Sequence, residues 1–289
     1  MAIQKVGVVG CGLMGHGIAQ VAAQAGCTVV VRESAQGPLD KGMGRIRKSL
    51  DKLVSKEKLT AADADAAWGR LSGTLEVSDL ADCDLVVEAI IEDLDIKRSF
   101  YKELGATCKP ETIFATNTSS FPVAEMGEAS GRPDKMVGLH FFNPVQLMKL
   151  VEVVKTPATS DAVFAEAKAF GEAVGKVPVA ASDTPGFVVN RLLVPYMADA
   201  MRMVERGDST PADVDAGMSL GCGYPMGPFT LTDYVGLDTT LSILEGWAER
   251  FPDDPSFTPP QILKDKVAAG KLGRKTGEGF YKWDGDKRA

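Results

Sequence analysis

The sequence predicts an α/β protein: a doubly wound, largely parallel sheet with a helical hairpin inserted in it over residues 1–183, followed by an all-α C-terminal domain over residues 184–289. Three observations carry that expectation. A glycine-spaced turn, Gly10-x-Gly12-x-x-Gly15, joins a short apolar strand to a helix. Short apolar runs then alternate with helical stretches as far as Ala180. After Asp183-Thr-Pro185-Gly186, a boundary signal, only helical patterns follow. With 289 residues, the chain suffices for one large or two ordinary domains.

Lys5–Val9 reads as a buried strand, and a helix from Leu13 to Ala25 ends at Gly26. Thr28–Val31 reads as the next strand, followed by Arg32 and Glu33. This is a βαβ unit of Rossmann type. Gly10 permits the tight turn, Gly12 lets a pyrophosphate approach the backbone, and Gly15 lets helix and strand pack closely. Leu13 and Met14 complete the loop, and the helix N-terminus offers N–H groups to phosphates. Glu33, at the end of the second strand, can bond both adenosine ribose hydroxyls and repel a 2′-phosphate, which favours NAD over NADP. Arg32 beside it could tolerate that phosphate, so NADP is not excluded. A plain glycine-rich turn is the bland alternative. His16, just inside the helix, is assigned no chemistry.

Pro38 to Lys58 follows as an amphipathic helix. Lys41, Arg45, Lys48, Lys52 and Lys56 share one face, while Met43, Ile46, Leu50, Leu53 and Val54 share the other. The cationic stripe is either a solvated face or a docking strip for a phosphorylated substrate. A second helix, Thr60 to Arg70, completes the hairpin. Cys83 to Glu92 then reads as a strand and the loop at its carboxyl end, Leu94 to Cys108 as a helix holding Lys97, and Thr112 to Thr116 as a strand ending in Asn117-Thr-Ser119-Ser120. Strand carboxyl ends line the ligand crevice of such a sheet, so Glu92, Ser119 and His140 are candidates. Ser119 could equally be a turn or N-cap residue, and no Gly-x-Ser-x-Gly elbow marks it as a nucleophile.

His140, one of two histidines, ends the apolar run from Met136, and Glu152 interrupts the apolar run Leu150–Val154. An ionised Glu in a buried strand needs a compensating partner. A histidine supplies one, and the carboxylate in turn fixes its tautomer and stabilises the imidazolium, which makes a general acid/base. The alternative is a satisfied core histidine and an edge-strand Glu facing water. Helix Ser160–Val174 and strand Lys176–Ala180 close the first domain. Helices Phe187–Glu205, Pro211–Leu220, Phe229–Phe251 with breaks, and Pro260–Ala269 make up the second.

The net charge of −7 argues against nucleic-acid binding. No apolar run approaches the ~20 residues that span a bilayer. Met1 to Lys5 leads straight into a strand, leaving no room for a targeting segment. Five irregularly spaced cysteines form neither a CxxC pair nor a disulfide ladder, so a cytoplasmic location is expected. No ligand cluster for a metal is seen.

Further motifs follow in order: Asp84-Leu-Val-Val-Glu-Ala, Asn117-Thr-Ser-Ser, His140-Phe-Phe-Asn-Pro, Pro185-Gly-Phe-Val-Val-Asn190-Arg, Pro225-Met-Gly-Pro-Phe and Lys275-Thr-Gly-Glu-Gly-Phe-Tyr281. With the glycine turn, the chain resembles the L-3-hydroxyacyl-CoA dehydrogenase family over essentially its whole length. In its compactness, with no fused hydratase domain, it is similar to the bacterial 3-hydroxybutyryl-CoA dehydrogenases. The resemblance implies reversible oxidation of (S)-3-hydroxyacyl-CoA, with acetoacetyl-CoA and 3-hydroxybutyryl-CoA as the substrate pair, in fatty-acid or butanoate metabolism. It implies His140 and Glu152 as the dyad, with Ser119 and Asn190 at the substrate carbonyl. Glu92, Lys97, Ser119, Asn143 and Lys275 would lie on the nicotinamide side, and Glu33 on the adenosine ribose. Ser49 and Lys56, on the cationic helix, would contact coenzyme A. A homodimer through the C-terminal domain is also implied. Two rival readings stand beside it: a dehydrogenase of a free hydroxy or sugar acid, and a non-catalytic protein derived from the fold.

Overall fold

The computed structural model describes residues 3–289 and divides into two units, Met1–Phe187 and Val188–Ala289. Met1 and Ala2, on which the expectation of no targeting segment partly rests, lie outside the described residues.

The first unit is an α/β layer structure. Its strands are β1 (Lys5–Val9), β2 (Thr28–Arg32), β3 (Leu71–Thr74), β4 (Leu85–Glu88), β5 (Ile113–Thr116), β6 (Met136–Phe141), β7 (Leu150–Lys155) and β8 (Val177–Ser182). Its helices are α1 (Gly15–Gln24), α2 (Gln36–Ser55), α3 (Ala61–Gly69), α4 (Leu94–Thr107), α5 (Val123–Ala129) and α6 (Asp161–Ala173). The sheet order is β3-β2-β1-β4-β5-β6-β7-β8. Strands β1 to β6 pair in parallel, β6 and β7 pair antiparallel, and β7 and β8 are again parallel to each other. Chain order reverses between β1 and β4, which opens the crevice where ligands of such sheets bind.

The central strands are apolar on both faces because both are covered, as parallel sheets require. One face packs Val6, Val8, Val29 and Val31 against Ile18 of α1, Ile46 and Leu50 of α2, Ala67 of α3 and Phe170 of α6. The other packs Val9, Val86 and Phe114 against Phe100, Tyr101 and Leu104 of α4 and Met126 of α5. Fully burying one such large side chain contributes roughly 1.5–3 kcal/mol.

The structure departs from expectation in places. Leu71–Thr74 forms the edge strand β3, which its sequence Leu-Ser-Gly-Thr does not announce: an edge strand paired on one side only needs little apolar content. Helix α2 starts at Gln36, two residues before Pro38, because a proline in a first turn forfeits no helical hydrogen bond. Phe187, in the segment that follows β8, is buried in the same core as Phe100 and Leu104 of α4 and Met126 of α5.

The second unit holds α7 (Val189–Glu205), α8 (Pro211–Cys222), α9 (Pro228–Val235), α10 (Leu237–Arg250) and α11 (Gln261–Ala268) around Val194, Met197, Met201, Phe229, Leu244, Trp247 and Leu263. It is not wholly helical. The chain closes in a small antiparallel hairpin, β9 (Trp283–Asp284) with β10 (Lys287–Arg288). Buried carboxylates explain this ending. Asp233 accepts from the N–H groups of Phe280 and Tyr281 at 2.8 and 2.9 Å and from Trp283 Nε1 at 2.8 Å. Asp215 accepts from the N–H groups of Phe229 and Thr230 and from the Tyr281 hydroxyl. The Gly-Phe-Tyr end of the last motif is thus held by helix carboxylates. No helix among the described residues is long and apolar enough to cross a membrane.

Candidate active site

Antiparallel pairing of β6 and β7 makes His140 and Glu152 direct cross-strand neighbours. Opposed residues share a sheet face, so the twelve-residue separation in sequence collapses to contact. His140 Nδ1 lies 2.6 Å from Glu152 Oε2, and the two side chains are 5% and 0% exposed. β7 is flanked by β6 and β8, so Glu152 is an interior residue and not an edge residue facing water. A carboxylate only accepts hydrogen bonds, so the Nδ1 between them carries the proton. In the neutral imidazole Nε2 is then the acceptor. Ser119 Oγ stands 3.0 Å from Nε2, placed to donate to it. Ser119 follows β5, and its hydroxyl lies where a substrate oxygen could be shared with His140.

Aromatic rings bracket the imidazole. Phe142 lies 4.7 Å from it between ring centroids and Phe187 lies 5.5 Å away. Phe187 has φ 53°, a conformation costly for a bulky residue. Nothing in the sequence pattern singles it out beyond its place after Pro185-Gly186. Asn117 is a further residue that sequence reasoning left without a role: its Oδ1 accepts the Phe141 N–H at 2.9 Å, tying the end of β5 to the end of β6.

Glu92 accepts from the Thr118 hydroxyl and, at 3.2 Å, from the Ser119 N–H. Lys97 is 1% exposed; its Nζ lies 2.5 Å from Glu88 and 3.1 Å from Glu92. It therefore stands behind Glu92, in the core. Asn143 is exposed in the loop that follows β6, and its bond to Pro144 is cis. The same loop is pinned by the buried Lys176, whose Nζ donates to the carbonyls of Val145 and Met148.

The glycine loop has the shape of a phosphate cradle. A Cβ on Gly15 would sit 1.7 Å from the Gly10 carbonyl oxygen, and one on Gly10 would sit 2.6 Å from that of Ala89. By contrast a Cβ on Gly12 would meet nothing within 4 Å, so the space before it is open to a ligand. No side chain caps the N-terminus of α1, which leaves its N–H groups for an anion. Leu13 of this loop is exposed, and Met14 packs partly on the core. Glu33 accepts from the Cys11 N–H at 2.6 Å and from the Ser34 N–H at 3.1 Å, which places its carboxylate at the loop. The Arg32 guanidinium lies over the Phe100 ring, 5.4 Å from its centroid. His16 Nδ1 is 2.7 Å from the Gly12 carbonyl and so braces the same turn. These residues fit a dinucleotide.

Lys41, Arg45, Lys48 and Lys52 of α2, and Lys56 at its C-cap, are all exposed, and Ser49 is half-buried beside them. Gly42 brings this helix onto the glycine loop: a Cβ there would lie 2.3 Å from Cys11 Sγ. Asn190 and Lys275 belong to the second unit. Asn190 lies in the first turn of α7, and Lys275 pairs with Asp238 at 2.6 Å.

The family model described as 3-hydroxyacyl-CoA dehydrogenase, NAD binding domain, matches residues 5–184, and that described as 3-hydroxyacyl-CoA dehydrogenase, C-terminal domain, matches residues 186–283. The chain is 49% identical over 279 residues to a probable 3-hydroxybutyryl-CoA dehydrogenase of Deinococcus radiodurans, covering 96% of this chain and 100% of that protein. It is also 49% identical over 287 residues to the mitochondrial hydroxyacyl-coenzyme A dehydrogenase of Rattus norvegicus, covering 97% and 91%. The crystal structure of (S)-3-hydroxybutyryl-CoA dehydrogenase PaaH1 from Ralstonia eutropha matches with a TM-score of 0.94 at 40% identity, covering 98% of this chain and 99% of that one.

Proposed function

Since this chain belongs to the 3-hydroxyacyl-CoA dehydrogenase family, we propose that it interconverts (S)-3-hydroxyacyl-CoA and 3-oxoacyl-CoA, with the four-carbon 3-hydroxybutyryl-CoA and acetoacetyl-CoA as the substrate pair. The observation that carries the reading is the buried His140–Glu152 pair with Ser119 on its free nitrogen, in the same unit as the glycine loop.

Bound NAD would supply the acceptor for the hydride that leaves C3, and NADH its donor in the reverse direction. The chain's residues handle the proton. In oxidation His140 Nε2 takes the hydroxyl proton, and Glu152 stabilises the resulting imidazolium through Nδ1. In reduction the imidazolium gives the proton back to the new alkoxide. The Ser119 hydroxyl orients and polarises the same oxygen. Glu92 fixes the backbone of Ser119 from behind. Gly10, Gly12, Leu13, Met14 and Gly15 would take the pyrophosphate, Glu33 the adenosine ribose, and Glu92 and Asn143 the nicotinamide side, with the buried Lys97 reaching that side only by steadying Glu92. Ser49 and Lys56 would meet coenzyme A. The roles proposed for Asn190 and Lys275 rest on their motifs alone.

NAD is the proposed preference over NADP. What supports it is that Glu33 holds its carboxylate against the glycine loop, where the adenosine ribose would lie, and that the Arg32 guanidinium lies over the Phe100 ring. A homodimer through the second unit is also proposed, and its exposed Leu192, Leu220 and Tyr224 give apolar surface for one. The test is loss of NADH absorbance with acetoacetyl-CoA, with free acetoacetate and with NADPH as controls. Turnover on acetoacetyl-CoA with NADH is expected. Activity on the free acid alone would favour a hydroxy-acid dehydrogenase, and bound cofactor without turnover would favour a non-catalytic descendant.

A further inference from the structure

A chain of hydrogen bonds, linked at one point by an ion pair, runs from the core of the first unit to the imidazole, and its first member, Glu88, has no place in the chemistry just described. Glu88 ends β4 and is fully buried. Its Oε1 accepts from Lys97 Nζ at 2.5 Å and from the Ile90 N–H at 2.8 Å, and its Oε2 from the Thr116 hydroxyl at 2.9 Å. Lys97 shares its ammonium with Glu92 at the longer distance of 3.1 Å. Glu92, 40% exposed, holds the Thr118 hydroxyl and the Ser119 N–H, and Ser119 Oγ meets His140 Nε2.

Two carboxylates thus divide one ammonium, and the deeper one holds it more closely. A buried ammonium left with a single carboxylate would draw that carboxylate inward, because an under-compensated buried charge is costly. Glu92 would then leave Thr118 and Ser119. With Glu88 in place, Lys97 is anchored deep and only steadies Glu92 at the rim. We propose that Glu88 is a positioning residue for the acid/base step: by anchoring Lys97 it sets Glu92, and through Glu92 the Ser119 hydroxyl against His140. This rests on the reading that Ser119 and His140 handle the substrate oxygen.

The experiment compares Glu88→Gln and Glu88→Asp with His140→Gln and with Leu104→Ala, steady-state in acetoacetyl-CoA and NADH, with Tm measured for each. Leu104 is buried on the same helix as Lys97 but has no part in the chain of hydrogen bonds, so its truncation lowers Tm alone. Glu88→Gln should lower kcat about tenfold or more while KM for acetoacetyl-CoA stays within about twofold, the signature of lost transition-state positioning. Glu88→Asp keeps the charge but retracts it, and should lose several-fold in kcat even if Glu88→Gln does not fold. Leu104→Ala should keep kcat within about twofold. Wild-type kcat in a folded Glu88 variant, with His140→Gln inactive, overturns the proposal alone. A kcat loss in Leu104→Ala equal to that of the Glu88 variants also overturns it. An active His140→Gln overturns the reading beneath it.

Discussion

Glu152→Gln removes one charge and changes almost no volume, so its effect isolates what the carboxylate does for His140. Both side chains are buried, with exposures of 5% and 0%, and their contact is 2.6 Å. With charge centres about 4 Å apart and an effective dielectric of about 20, the imidazolium–carboxylate attraction is about 4 kcal/mol. A glutamine oxygen still accepts from Nδ1, and a neutral hydrogen bond recovers about 1 kcal/mol of that. The charged imidazolium is then about 3 kcal/mol less stable, which at ~1.36 kcal/mol per decade lowers kcat by roughly two decades. If the amide turns its NH2 toward Nδ1, the proton moves to Nε2 and the loss is larger. The assay is NADH consumption with acetoacetyl-CoA, and the reverse reaction with 3-hydroxybutyryl-CoA, on protein whose Tm matches wild type. KM for both substrates should change by less than about threefold, because Glu152 is placed to touch neither. A folded Glu152→Gln with kcat within about fivefold of wild type would refute the reasoning.

Other perturbations reach other parts of the account. Gly42→Ala puts a Cβ 2.3 Å from Cys11 Sγ and 2.6 Å from the Cys11 carbonyl oxygen, so α2 must move off the glycine loop; KM for NADH and for acyl-CoA should rise together at a stability cost of about 1–3 kcal/mol, and a rise in only one would break the link between loop and helix. Burial, followed by the Glu33 charge, pushes the Cys11 thiol up to about 12, and burial pushes Cys83 up to about 12 and Cys108 up to about 11. Cys27 is also raised by burial, whereas Cys222 is exposed. An aromatic disulfide reagent at pH 8 should therefore react slowly with Cys11, Cys27, Cys83 and Cys108 in the folded protein, and fast modification of any of these four, located by mass spectrometry, would contradict the burial. At Asp84, burial opposes ionisation, but the Lys109 ammonium at 2.7 Å and the N–H groups of Lys5 and Gln4 outweigh it and hold the carboxyl below its ordinary value of 3.8. Its bond to Asp84 outweighs burial at Lys109 and raises that ammonium above its ordinary value of 10.5. The stabilisation is full between those values, is lost as pH falls through the depressed Asp84 value, and is lost as pH rises through the raised Lys109 value. Asp84→Asn should cost about 0.5–1 kcal/mol at pH 7 after screening of this part-exposed pair, and a gap from wild type that widens at pH 3 would contradict the assignment.

Much of this was legible in the sequence because it rests on local geometry. Gly10, Gly12 and Gly15 announce their turn by spacing, and the turn they make is the one the close approaches of Gly10 and Gly15 demand. Glu152 was legible as a misfit, a charge in an apolar run. What the sequence could not say was the direction of β7, and only antiparallel pairing turns that misfit into a partner for His140. The family resemblance implies Lys97 on the nicotinamide side, but its burial against Glu88 depends on the distance between β4 and α4, which no local pattern encodes. Phe142 and Phe187 were silent for the same reason, since apolar residues beside a histidine look like any core. The edge strand Leu71–Thr74 and the closing hairpin of the second unit escaped because partners in space define them.

The central claim is that His140 is the acid and base for the substrate oxygen. The direct measurement is kcat of His140→Gln with acetoacetyl-CoA and NADH, on folded protein shown by fluorescence titration to bind NADH as wild type does. A fall of roughly two to four decades is the predicted result, the usual worth of a general acid/base group. Turnover within about tenfold of wild type would contradict the account and require another residue to carry the proton.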